Sequence, residues 1–386
     1  MNRNRLGILA AVAMPLFAAI VPGCTTTRPI VSSALPRFAY VANQNDNDIS
    51  AFAVDYTSGA LTAGVGSPFT GVSGPRNVAV CPSGQLLYVA NGNTNGISGY
   101  QINLTTGTLT PAPGSPFAGG TAPRGITVDP TGSFVYVANS GDNTISGYAI
   151  NGNNGTLTPV PGSPFAAGTS PFGITVDPTG RFVYAANHKS SDISAYIINA
   201  KTGALTEITG SPFADVEEEE ENTGPFEIAV TPTDSFLYVT NHFTNNVAGF
   251  SINASSGALT PIASGPFNAG NEPFGIQVAP SGDFVYVVNR ASANIYVYSL
   301  DTSTGALMQI QDSPYSVGEI GECNPSPYEG ALDATGRFLY VPDNGCGAIS
   351  AFSVDAATGA LTMLSGFPIA AGNGPYGVAI SRLRLD

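Results

Sequence analysis

Arg76 and Arg124 lie 48 residues apart, each directly after a proline at the opening of an apolar run. Two runs of the same form, Pro225-Phe226-Glu227-Ile228 and Pro327-Tyr328-Glu329-Gly330, hold a glutamate where sister segments have Gly125, Gly173, Gly275 and Gly377. A carboxylate that acts as a base or activates water, with guanidinium cations to steady a developing oxyanion, is the equipment of acyl hydrolysis. Arg76, Arg124, Glu227 and Glu329 are therefore the catalytic candidates. His188, His242 and Arg290 each follow an asparagine that ends an apolar run, and are the polar candidates for a binding face. Phe172, Phe226, Phe274, Tyr328 and Tyr376 recur after the opening prolines, either as core packing or as a stacking surface for a sugar or another flat ligand. A plainer reading stands beside this one: the arginines make salt links and the histidines are exposed loop residues. No serine–histidine–acid set, metal-ligand cluster or phosphate loop stands out, and two histidines limit any histidine-based metal site. No metal or cofactor is expected.

A repeat must position these residues. Phe38-Ala39-Tyr40-Val41-Ala42-Asn43 has relatives ending at Asn91, Asn139, Asn187, Asn241, Asn289 and Asp343, at intervals of 48, 48, 48, 54, 48 and 54. Sixteen residues after each anchor stands a glycine, from Gly59 to Gly359, and twenty-five after it a proline, from Pro68 to Pro368. One unit reads as four short strands; in the third copy these are Gly125 to Val128, Phe134 to Ala138, Ile145 to Ile150, and a run from Leu157 after the Asn154-Gly155 hairpin signal. Four strands at this period match a propeller blade, and a chain without tryptophan is no WD40 array. The first blade starts at a second strand and the chain finishes on a first strand, Pro375 to Ile380. The expectation is an all-β, seven-bladed propeller of four-stranded blades over residues 38–386. Its C-terminal strand should close the N-terminal blade (3+1), which removes an open edge.

The two long intervals are six-residue insertions in fourth-to-first-strand loops, on the face that also holds the second-to-third-strand loops. The first contains Asp215 and Glu217 to Glu221; a bound cation or a basic partner is one reading, and a solvated loop is the plainer one. The second contains Glu319, Glu322 and Cys323, which should meet Cys346 in a disulfide, as an exported protein permits. Cys81 reads as a buried free thiol. The recurring asparagines read as structural, because asparagine tolerates left-handed turns and bonds nearby backbone.

Residues 1–23 have the basic start, apolar run and small-residue end of a secretory leader, followed by Cys24. Val21-Pro22-Gly23-Cys24 resembles the bacterial lipobox, which implies lipidation of Cys24 and a tether over residues 24–37. Thr25 then favours the outer membrane of a two-membraned cell. Without Arg3 and Arg5, 11 basic residues face 27 acidic ones, a net charge near −16. Such a chain should repel nucleic acid and anionic surfaces, meet the membrane only through its lipid, and not favour phosphorylated compounds. A monomer is expected, with a protein, small-molecule or sugar ligand.

The V-Y-V-A-N strands, T-G-x-L-T hairpins and P-x-G-I-x-V-D-P-T-G strand-turns resemble the lactonase-type seven-bladed propellers, including 6-phosphogluconolactonases, carboxy-cis,cis-muconate lactonising enzymes and YVTN-repeat proteins. Active members tend to have Pro-Arg-His or Pro-His at these openings. Here Pro75-Arg76 and Pro123-Arg124 keep the arginine, while Asn77 and Gly125 replace the histidine. Two functions are thus in view: a ligand- or protein-binding propeller at the cell envelope, and a divergent lactonase acting outside the cytoplasm. A central pocket uniting Arg76, Arg124 and a glutamate would favour the enzyme, and dispersal around the rim the binding module.

Overall fold

The structure, a computed structural model, describes residues 37–215 and 222–381. The leader, Cys24, the tether up to residue 36 and Glu217 to Glu221 lie outside the described residues.

Seven antiparallel sheets form the ring. They are blades 1 to 7, in the order of their second strands Arg37–Asn43, Leu86–Asn91, Phe134–Asn139, Phe182–Asn187, Phe236–Asn241, Phe284–Asn289 and Phe338–Asp343. Each blade is flanked by two others, so these strands are apolar on both faces and almost wholly buried. The core is divided into inter-blade layers. Phe182, Tyr184 and Ile208 of blade 4 pack with Leu237, Val239 and Phe250 of blade 5, and Phe338 and Tyr340 of blade 7 pack with Ala39, Val41 and Phe52 of blade 1.

The two strongest sequence markers meet in one contact. The tyrosine of each second strand donates its hydroxyl to the carbonyl of the hairpin glycine in the following blade, as in Tyr40–Gly107 (2.9 Å), Tyr136–Gly203 (2.9 Å) and, closing the ring, Tyr340–Gly59 (2.8 Å). Glycine is required there on two counts. Gly59 has φ +74°, and a Cβ would fall 2.4 Å from the Phe338 ring.

Closure follows the expected 3+1 scheme: Pro375–Ile380 pairs with Arg37–Asn43, and Ser381 holds Phe38 through both its backbone and its hydroxyl. The fourth strand is less regular than four plain strands imply. In blade 1, Leu61–Ala63 and Phe69–Thr70 pair with opposite ends of the third strand, Asp48–Val54, around a cis Ser67–Pro68 bond. Ser67 Oγ accepts the Ala51 N–H (2.9 Å), so a side chain fills the gap in the ladder. Blade 7 also departs from the pattern. Pro342 has no N–H to give the inner strand, which shortens to Ala331–Leu332.

The asparagines are structural in a different way from that expected. They lie within strands, where Asn91 Nδ2 donates to Ser98 Oγ and Asn187 Nδ2 to Asp192. The left-handed residue comes four positions later, at Asn47, Asn95, Asn143 and Asn245.

Candidate active site

Each inner strand begins where the second strand of its blade ends: Pro75 lies opposite Asn91, Pro123 opposite Asn139 and Pro171 opposite Asn187. The register then shifts, and such a bulge re-aims the side chains beside it. The seven side chains that directly follow the opening prolines, Arg76, Arg124, Phe172, Phe226, Phe274, Tyr328 and Tyr376, line one cavity of about 340 Å³ at the channel mouth. His188, His242, Arg290 and Gln44 line the same cavity. Both arginines and all eight binding-face residues inferred from the sequence thus converge.

The aromatic residues form a collar. Ring centroids lie 4.9 Å apart for Phe172–Phe226, 3.7 Å for Phe226–Phe274, 4.4 Å for Phe274–Tyr328 and 4.5 Å for Tyr328–Tyr376. Arg124 bridges the gap: its Cζ sits 3.6 Å from the Phe172 centroid, and Nη1 donates to the Tyr376 hydroxyl at 3.2 Å. Burial lowers the Arg124 pKa, and the neighbouring Arg76 adds to that. Among the described residues neither guanidinium forms a salt bridge, and the Nε of each is buried without a hydrogen-bond partner. Two half-buried cations without carboxylate partners among the described residues face an open cavity. Such a site is built for an anion.

Arg290 differs, because Glu272 Oε2 accepts from its Nε at 2.8 Å and its Nη2 at 2.5 Å. The salt-link reading holds for this arginine alone of the three. The histidines are not exposed loop residues. His188 is half-buried and stacks on Phe172 with centroids 4.3 Å apart and planes 8° apart. Burial, and then His242, lower its pKa to about 4, so the imidazole is neutral at pH 7. Burial likewise lowers His242.

The glutamates are not on the face with the other candidates. The third inner-strand positions, Asn77, Gly125, Gly173, Glu227, Gly275, Glu329 and Gly377, sit one residue deeper than the collar. A Cβ on Gly173 would lie 2.6 Å from the Phe226 carbonyl oxygen, and one on Gly275 2.9 Å from that of Tyr328. The glycines leave room for the two glutamates below the collar. There Asn77, Arg124, Glu227, Glu329 and Tyr376 border a chamber of about 10 Å³, the size of about one water. Asn77 Nδ2 donates to Glu329 Oε2 at 2.6 Å. Burial raises Glu329 to about 7 despite that bond. Glu227 rises well above the carboxylate range through burial and the charge of Glu329. Each side chain is enclosed by the ring and keeps surface only against the channel, so depth in the protein governs its charge. Two such carboxyls share one proton more readily than they both ionise.

Asn77 was not among the sequence candidates, although its third-position place beside Arg76 is the signal that marked the glutamates. Gln44 follows Asn43 as His188 follows Asn187, and could have been found in the same way. Cys323 and Cys346 form the expected disulfide, with Cα atoms 5.3 Å apart, in the insertion that leads to Tyr328. Cys81 is buried and free, its thiol pushed up to about 12 by burial. Among the described residues no group of three His, Cys, Asp or Glu side chains is arranged to hold a metal ion.

The family model described as lactonase, 7-bladed beta-propeller matches residues 29–121, 111–215 and 211–323. No curated protein matches the chain. Among solved structures, a 6-phosphogluconolactonase candidate from Bacteroides uniformis is similar at 17% identity and TM-score 0.74, covering 90% of this chain and 99% of that one. A second such candidate, from Bacteroides fragilis, is similar at 20% identity and TM-score 0.73, covering 92% and 99%. The periplasmic gluconolactonase of Pseudomonas aeruginosa is similar at 15% identity and TM-score 0.70, covering 90% and 99%. At these identities the likeness concerns the fold, whereas the family model spans most of the sequence. The chain belongs to the lactonase family of seven-bladed β-propellers.

Proposed function

We propose that this protein hydrolyses an anionic lactone in the collar cavity. The observation behind this reading is the convergence of Arg76 and Arg124, half-buried and without carboxylate partners among the described residues, above the glutamate pair of the chamber. The two arginines share the collar cavity, and Arg124 also borders the chamber of Glu227 and Glu329. That supports the enzyme over dispersal around a rim, although neither cavity holds both arginines and a glutamate. The overall acidity is a poor guide here, because charge acts locally at a site, and an anionic substituent on the substrate complements the two free guanidiniums. A sugar-derived ring fits against the collar.

In the reaction, Arg76 and Arg124 hold the anionic substrate and steady the oxyanion as water adds to the acyl carbon. The ionised member of the Glu227–Glu329 pair takes the proton of a water in the chamber. Ring opening returns a proton to the departing alkoxide. His188 and His242, uncharged at neutral pH, border the substrate without adding positive charge.

The leader at residues 1–23 and Cys24 support export and lipid anchoring, so the substrate belongs outside the cytoplasm. A pH-stat assay of the purified mature protein against lactones with and without a carboxylate or phosphate tests the reading. Acid release is expected from anionic lactones in preference to neutral ones. No turnover of any lactone sinks it.

A further inference from the structure

Three cavities follow one another along the channel. The first is the collar cavity of about 340 Å³ and the second the chamber of about 10 Å³. The third is a funnel of about 620 Å³ at the far face, walled by Val80, Val128, Val176, Val278 and Ile380. Arg124, Phe172, Phe226, Phe274 and Tyr376 border both the first and the second. Glu329 alone borders both the second and the third.

Lactone hydrolysis has a proton to dispose of. Water adds its oxygen to the acyl carbon and gives a proton to the base, the ring C–O bond breaks, and the alkoxide takes a proton. The product acid then ionises at neutral pH, so each turnover releases one proton. A substrate in the collar cavity blocks the way to the near face. We infer that Glu329 is the proton outlet of this site, passing protons from the chamber to solvent in the far-face funnel. The inference rests on the lactonase reading.

The surroundings of Glu329 suit a relay. Glu227 faces it from blade 5, Arg124 from blade 3, Asn77 from blade 2 and Tyr376 from blade 1; Tyr328 is its neighbour in sequence, and Arg76 lines the collar cavity instead. Asn77 occupies Oε2 and so fixes the carboxyl in place. On the funnel side the lining contains no Lys, Arg or His, and its other carboxylate, Asp333, is held by Arg37 at 2.7 Å. Nothing basic in that lining competes with water for the proton.

The test plugs the funnel. Thr127 lines its wall, and in a Cys24→Ser background Thr127→Cys can be modified selectively with a bulky methanethiosulfonate, because Cys81 is buried and Cys323 and Cys346 are paired. Two readouts are needed: kcat and KM on a hydrolysed lactone, and the hydrogen–deuterium exchange of the Glu329 carboxyl followed by infrared spectroscopy. Glu329→Gln identifies the band. The plug should lower kcat about tenfold with KM unchanged, slow the exchange, and be reversed by a thiol reductant. Exchange and kcat untouched by the plug would overturn the outlet. Turnover absent from the unmodified protein would overturn the hydrolase reading, and the outlet's catalytic role with it, even if exchange still responded to the plug.

Discussion

Three arginines border one cavity, and their partners separate them. Glu272 neutralises Arg290, whereas no carboxylate among the described residues pairs with Arg76 or Arg124. Arg76→Ala should therefore lower kcat/KM by roughly 10²–10³, the range for loss of an oxyanion donor, and Arg290→Ala by only a few-fold. Steady-state kinetics on an anionic lactone checks both. Glu329 makes a second prediction, with an unusual sign. Its folded pKa of about 7 lies above the ordinary 4.5, so the folded state keeps a proton that the unfolded chain releases. Its contribution to stability is complete below pH 4.5 and is lost as pH rises to 7. Glu329→Gln should thus stabilise the protein by on the order of 3 kcal/mol at pH 8 and leave it unchanged at pH 4, as read by urea unfolding at the two pH values.

At the scale of the strand, the third inner position decides what fits in the channel. Gly173→Ala would place a Cβ 2.6 Å from the Phe226 carbonyl oxygen and 2.8 Å from Glu227 Cα. It should cost about 1–3 kcal/mol and lower the melting temperature. Gly152→Ala meets nothing within 4 Å and serves as the neutral control. The strands themselves were legible in the sequence, because turn glycines, marker prolines and apolar runs are local signals repeated in register. The Tyr–Gly contact joins two of those markers across neighbouring blades, over 67 residues at Tyr40–Gly107 and over 73 at Tyr184–Gly257, where the insertion intervenes. The depth of Glu227 and Glu329 was not legible. It depends on a bulge after the opening proline, which swings one residue into the mouth and sets the next below it. The interrupted fourth strand was also hidden, since Ser67 replaces a ladder bond by a side-chain contact that no spacing announces. The shortened inner strand of blade 7 had a visible cause in Pro342, whose missing donor matters only once its partner strand is known.

For the whole molecule, closure joins residues far apart in the chain: Ser381–Phe38 and Tyr340–Gly59, 343 and 281 positions apart, by hydrogen bonds, and Arg37–Asp333, 296 apart, by a part-buried ion pair. Complementary half-blades at the two ends made that closure readable from the sequence. The Cys323–Cys346 bond ties the loop before Tyr328 to the loop after Phe338–Asp343, across a sequence separation of 23. Replacing both cysteines with serine should cost about 3 kcal/mol and raise KM more than it lowers kcat, because Tyr328 follows that loop. Chemical denaturation and kinetics on the same variant check the two effects. Net charge misleads at this scale: a chain of formal charge −14 surrounds a cavity with two unneutralised guanidiniums. The central claim is that this cavity hydrolyses anionic lactones through Arg76 and Arg124. The most direct measurement is kcat/KM for an anionic and a neutral lactone, in the wild type and in the Arg76→Ala/Arg124→Ala double variant. The account predicts a wild-type preference for the anionic lactone and a fall of roughly 10³ or more in the double variant. Equal turnover of the anionic lactone by both proteins would contradict it.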